Sequence, residues 1–265
     1  MTTPDHDALV TALRAAGCVF AEEEAALLTA AASAPTELKG LVAQRVSGVP
    51  LEHLLGWTEF RGLRVAVAPG VFVPRQRTGF LVEQAVALTA PGRDAVVLDL
   101  CCGSGALGLA TVTELARRGI RARLTASDIE PAAVACARRN LRALDARVVE
   151  GDLYSPLPPE LAGRVDILLA NTPYVPTDAI AGMPPEAREH EPRRALDGGP
   201  DGLDVFRRVT AAAPTWLAPG GRLLVEASHA QVPIATGILA DRGLVPTVAE
   251  SDELDATVVI GTKPR

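Results

Sequence analysis

The chain has 265 residues, 48% hydrophobic and 22% charged, with a formal net charge of −6. This balance is that of a globular chain forming one large domain, or a medium domain with a small companion. The acidic charge argues against a broad nucleic-acid surface, which needs clustered Lys and Arg. No apolar run reaches the ~18 residues of a membrane span, and no basic-then-apolar leader opens the chain. Cys18, Cys101, Cys102 and Cys136 have no zinc-site spacing, so no metal is expected. A cytoplasmic protein is the expectation.

The first 55 residues read as helical. Thr3-Pro4-Asp5 is a helix start, since proline is tolerated in the first turn. Leu9, Val10 and Leu13 share a face and Gly17 is a stop. A second helix is predicted over 20–32, with Glu22, Glu23 and Glu24 as its solvated, dipole-favoured first turn. A third covers 36–46. Such short, alanine-rich helices need each other to bury their stripes, which predicts a small helical domain at 1–55.

From Thr58 to Val73 the pattern changes. Leu63, Val65 and Val67 alternate with Arg64, Ala66 and Ala68, the period of a strand, so a β-hairpin linker is expected at 56–76. The main domain, 77–265, alternates strands (95–100, 122–127, 146–149, 165–170, 221–227) with helices (105–118, 131–143, 203–217, 230–242). That alternation predicts an α/β, doubly wound, mainly parallel sheet. The tail, with apolar runs at 243–245 and 256–260 and no helix between, reads as a C-terminal antiparallel hairpin. The stretch 175–202 is rich in Pro, Gly and charge, and is either a substrate loop or disordered.

Two strand ends carry the chemistry. In open α/β sheets, ligands bind beyond the carboxyl ends of the strands. Gly103-Ser104-Gly105 follows the first strand of the main domain and opens a helix, where glycines let a ligand approach the backbone. Asp128 ends the next strand, where an acid binds ribose hydroxyls. Nicotinamide and flavin enzymes share this layout. Three features favour S-adenosylmethionine. Gly108, following bulky Leu107, is read as departing from the third glycine of the dinucleotide pattern. Asp99 is placed to accept from the ammonium of a methionine moiety, and Asp152, ahead of Leu153, from an adenine amino group. The alternative for both acids is a turn or N-cap role.

The fourth strand ends in Asn171-Thr172-Pro173-Tyr174. An amide nitrogen is a poor nucleophile because its lone pair is delocalised into the carbonyl. Two acceptors on its hydrogens orient it and raise its electron density. The Asn171 side-chain oxygen and the Thr172 carbonyl are candidates, and Thr172 is biased to extended geometry by the proline after it. Tyr174 is a candidate wall against the planar group, with the nitrogen in line with a sulfonium methyl at roughly 3–3.5 Å. The reading is methyl transfer to a planar amino or amide nitrogen. The bland alternative is a strand-end turn with a satisfied Asn and a packed Tyr.

These segments resemble the HemK/PrmC family, which methylates the glutamine amide of peptide-chain release factors. The resemblance runs through Val49-Pro50-Leu51-Glu52-His53-Leu54-Leu55-Gly56, Pro69-Gly70-Val71-Phe72-Val73-Pro74-Arg75, Asp99 to Gly105, Asn171 to Tyr174, and His190-Glu191-Pro192 through Gly202-Leu203. It implies a helical domain for release-factor binding, a hairpin linker and a Rossmann-like class I methyltransferase domain. It implies catalytic Asn171, Thr172, Pro173 and Tyr174. The implied cofactor site is Thr78, Asp99, Cys101, Gly103, Gly105, Asp128, Ile129, Asp152, Leu153 and Asn171. His190 and Glu191 are read as loop anchors, whereas His6, His53 and His229 show no partner pattern. The chain departs from the family at Thr172, where the family has proline, and at Arg77 and Gly79, where it has glutamates. A different planar NH₂ acceptor therefore stays open: another protein, a small amide or a nucleic-acid adenine. An NAD-dependent oxidoreductase and a non-catalytic binding module complete the alternatives.

Overall fold

The computed structural model describes residues 6–265, so the expected helix start at Thr3-Pro4-Asp5 lies outside the described residues. Helices α1 (His6–Ala15), α2 (Ala21–Ala31), α3 (Pro35–Val46) and the short α4 (Leu51–Leu55) form the N-terminal unit. Leu9, Val10 and Leu13 meet Ala21, Ala25, Leu28, Leu38 and Val42 in a core of their own. Glu24 is not solvated as expected. It is 8% exposed and takes both Nε (2.6 Å) and Nη2 (3.1 Å) of Arg45, because the acidic first turn of α2 faces the end of α3.

Strands β1 (Trp57–Phe60) and β2 (Leu63–Ala66) pair antiparallel. The hairpin is fastened to the main domain: the Asn140 amide donates to the Ala66 carbonyl and accepts from its N–H, both at 2.8 Å. His53, which had no partner pattern in the sequence, meets the Val71 carbonyl at 2.9 Å. A 3-10 turn at Gln76–Thr78 then leads into α5 (Gly79–Ala87), a helix absent from the expectations. Phe80, Leu81, Val82, Ala85 and Val86 are all buried, which leaves Glu83 and Ala87 as the exposed edge of α5, a narrow face that gives the helix a weak period.

The main sheet joins β3 (Ala95–Leu100), β4 (Ala122–Asp128), β5 (Ala146–Glu150), β6 (Val165–Ala170), β7 (Leu217–Glu226), β8 (Val245–Ser251) and β9 (Ala256–Thr262). Their order is β5-β4-β3-β6-β7-β9-β8. Strands β3 to β7 are mutually parallel, and β9 runs antiparallel to both β7 and β8. On one face Leu81, Val86 and residues of α6 (Ala106–Arg117) and α7 (Pro131–Leu141) pack over Val97, Leu124, Ile167 and Leu224.

After β6 the chain does not run as an irregular loop. Residues 177–182 form a 3-10 helix, followed by α8 (Pro185–His190) and α9 (Arg193–Leu196). On the sheet's other face α10 (Asp204–Trp216) and α11 (Val232–Asp241) contribute Phe206, Val209, Ala213, Ala235 and Leu239, which cover Leu98, Leu168, Leu223 and Val259. The chain winds one way from β3 to β5, then returns to place β6 on the other side of β3. The switch point is therefore the crevice between β3 and β6, where such sheets bind ligands. No described helix is long and apolar enough to cross a membrane.

Candidate functional site

A cavity of about 460 Å³ opens at this crevice. Its first wall comes from Cys101, Gly103, Asp128, Ile129, Asp152 and Leu153, and its second from Thr78 and Asn171 to Tyr174. The structure thus brings together the residues expected at both strand ends, with two exceptions: the cavity wall does not include Asp99 or Gly105.

Asp99 is fully buried on β3, and its Oδ2 accepts the Gly108 N–H at 2.9 Å. Its Oδ1 is buried with no partner. Burial pushes its pKa up to about 7, against the opposing Gly108 hydrogen bond. Gly105 has φ +77° and precedes α6, and a Cβ there would meet Ala137 and Leu141 of α7 at 3.2 Å. Both residues act behind the wall, holding α6 against β3 and α7.

Gly108 corrects the reading of the glycine pattern. Positions 103, 105 and 108 have the full three-glycine spacing, and Leu107 does not break it. A Cβ at Gly108 would lie 2.9 Å from the Leu124 side chain and 3.0 Å from Asp99. This is the close helix–strand approach that the third glycine serves, so the spacing does not separate a methyltransferase from a nicotinamide enzyme.

The residues fit S-adenosylmethionine on other grounds. Gly103 has φ +54° and open space where a side chain would project. Asp128 accepts from the N–H groups of Gly103 (2.8 Å) and Glu130 (2.9 Å). Each of its oxygens keeps a lone pair for a hydroxyl. Its pKa is raised by burial, with those backbone donors opposing. Asp152 holds Arg208 at 2.6 Å, and Ser104 Oγ and Thr78 Oγ1 are buried without partners. Among the described residues no three His, Cys, Asp or Glu are grouped to hold a metal.

On the second wall, Asn171 Oδ1 is buried and has no hydrogen-bond partner. A native buried acceptor is rarely left so, and this one borders the cavity. The turn behind it is held from outside. Val175 donates to Leu196 O at 3.0 Å and accepts from Gly198 at 2.9 Å. Gln231 Nε2 donates to Tyr174 O at 2.9 Å. The segment 190–203 is the backbone clamp of the turn at residues 171–174.

Glu191 fulfils the anchoring role expected of it, accepting from Val73 N (3.0 Å) and Arg75 (2.6 Å). His229 does have a partner, Glu250, at 3.1 Å on the surface. Sequence reasoning missed Glu226, Arg208 and Gln231. Glu226 was within reach of the strand-end rule, since it terminates β7 beside the acceptor turn.

Five parallel strands with β9 inserted antiparallel beside β7, together with the relatives the chain matches, place it among the class I S-adenosylmethionine-dependent methyltransferases. The methyltransferase small domain model matches residues 62–183. The chain is 40% identical over 232 residues to a release factor glutamine methyltransferase of Geobacter sulfurreducens, covering 86% of this chain and 78% of that protein. It is 39% identical over 190 residues to a 4-amino-L-phenylalanine/4-methylamino-L-phenylalanine methyltransferase of Streptomyces pristinaespiralis, covering 70% and 63%. A methyltransferase structure from Pyrococcus furiosus shares the fold at TM-score 0.55 and 15% identity, covering 77% of this chain and 91% of that one. The chain belongs to the release factor glutamine methyltransferase family.

Proposed function

We propose that this methyltransferase acts on the side-chain amide nitrogen of a glutamine in a peptide chain release factor, in the cytoplasm. The observation that carries the reading is the unpartnered, buried Asn171 Oδ1 at the cavity wall. Bound S-adenosylmethionine supplies an electrophilic sulfonium methyl. Asn171 Oδ1 accepts from one N–H of the amide and the Thr172 carbonyl from the other. With both hydrogens held, the amide plane is fixed and the nitrogen lone pair stands perpendicular to it. Tyr174 keeps the amide plane flat, and the apolar lining from Phe60, Val71 and Phe72 keeps water off the nitrogen. Residues 1–55 act as the substrate-recognition domain and 56–76 as the linker, carrying a large protein acceptor to the mouth.

The test is transfer of labelled methyl from S-adenosylmethionine to a release factor with a Gly-Gly-Gln loop, with the modified residue located by mass spectrometry. A label on the loop glutamine is expected; its absence from every release factor of the same cell defeats the substrate claim. A second reading is a small planar amine, favoured by Thr172, Arg77 and Gly79 in place of the family residues and by the aminophenylalanine-methylating relative. A free aromatic amine in the same assay separates the two.

A further inference from the structure

One departure from the family pattern, Arg77, bonds the side chain of Tyr174, which follows another, Thr172, by two residues. Arg77 Nη2 donates to the Tyr174 hydroxyl at 2.7 Å, and its Nε donates to Glu226 Oε1 at 3.2 Å. The Tyr174 hydroxyl in turn donates to the same Oε1 at 3.1 Å. The ring is therefore held at its far end by a closed triangle of charge-assisted bonds. Glu226 is the fixed corner. Its side chain is 5% exposed, and its neighbour Val225 pairs with Ala170, the last residue of β6. The carboxylate thus stands in register beside Asn171. Burial, with Glu226 adding to it, pushes the Tyr174 phenol up to about 12, so it remains a donor at neutral pH.

A proline at 172 would fix a φ angle just ahead of the tyrosine; threonine leaves that angle free. Gln231 already secures the Tyr174 carbonyl, which leaves the ring as the part of the turn still to be fixed. An acid at 77 would offer the phenol no donor and would repel Glu226. The arginine supplies two donors from a planar fork that loses little entropy in making them.

We infer that Arg77 is a positioning residue: it tethers Tyr174 to Glu226 and so restores to the acceptor slot the rigidity that Thr172 does not provide. This rests on the reading that a planar nitrogen is held at this turn. It adds that Arg77 and Thr172 are coupled, each tolerable because of the other.

The test uses the full chain labelled with 3-fluorotyrosine. Its two tyrosines, Tyr154 and Tyr174, give two fluorine resonances, assigned with Y154F. In R77M the Tyr174 resonance shifts and broadens, and adding T172P narrows it again. In parallel, R77M lowers kcat about tenfold while the KM for S-adenosylmethionine stays within about twofold, the split expected of lost positioning. R77K, which reaches one partner but not both, falls between. If R77M does not fold because Glu226 is left buried and unpaired, R77M/E226Q removes that charge and shows the same broadening. An unchanged Tyr174 resonance, or no recovery with T172P, overturns the inference. A wild-type enzyme that never labels a release factor defeats the acceptor reading instead, and the fluorine spectra still decide the tether.

Discussion

Arg75 and Glu191 lie 116 residues apart in sequence and 2.6 Å apart in the fold. The Glu191 side chain is 1% exposed, and its other oxygen takes the Val73 N–H. One carboxylate therefore fastens the segment after the hairpin to the segment that clamps the acceptor turn. Removing it strands a backbone donor and a guanidinium together. E191A is expected to destabilise the protein by about 2–4 kcal/mol, in the range for breaking a buried, hydrogen-bonded pair. Urea denaturation checks this. A midpoint unchanged from wild type would mean that the two segments hold each other without the carboxylate.

Asn171 tests the acceptor grip. N171A removes the side-chain oxygen and leaves the strand end intact. Losing one preorganised hydrogen-bonding group around a reacting centre costs roughly 10²–10³ in kcat. That loss is expected here, with S-adenosylmethionine affinity by calorimetry changing only severalfold. Retention of full turnover would remove Asn171 from the chemistry.

Asp99 gives a pH signature. Its pKa in the fold is about 7, above the ordinary 3.8, because burial disfavours the ionised carboxylate. The folded state therefore binds this proton more tightly than the unfolded one. The stabilisation is complete below about pH 4 and is lost as pH rises through about 7. D99N keeps an acceptor for Gly108 N–H and carries no charge. Between about pH 4 and pH 8, wild type should lose a few kcal/mol of stability relative to D99N. Parallel urea midpoints across that range would show that Asp99 ionises freely.

The sheet was legible because its inner strands are short, mainly apolar runs with a single acid each, as at Ala95–Leu100 with Asp99 and Val165–Ala170 with Asp166. The glycine turn and the Asn171 turn were legible because both follow such runs. Helix α5 was not, since Phe80, Leu81, Val82, Ala85 and Val86 are buried and its exposed face is only Glu83 and Ala87, too narrow to announce a 3.6-residue period. Strand β7 begins at Leu217 rather than 221, hidden by Pro219-Gly220 beside a register shift in the ladder. The helices of 177–196 are short and rest on distant contacts, such as Val175 with Asp197, that no local pattern announces. In the site, charge alliances were the hidden part. Arg77 with Glu226 spans 149 residues and Arg208 with Asp152 spans 56, and side-chain pairing at that range leaves no mark on spacing.

The clamp behind the acceptor turn has a consequence for remodelling this enzyme. A Cβ at Gly198 would come within 2.6 Å of the carbonyls of Pro173 and Gly202, and one at Gly202 would collide with Tyr174 O and Gln231. Those glycines and the turn are cast as one piece, with no slack for even a methyl group. Libraries meant to widen acceptor scope should leave that rear casting and its Arg77 tether untouched and vary the rim, where Phe72 and Met183 can change shape without cracking the mould.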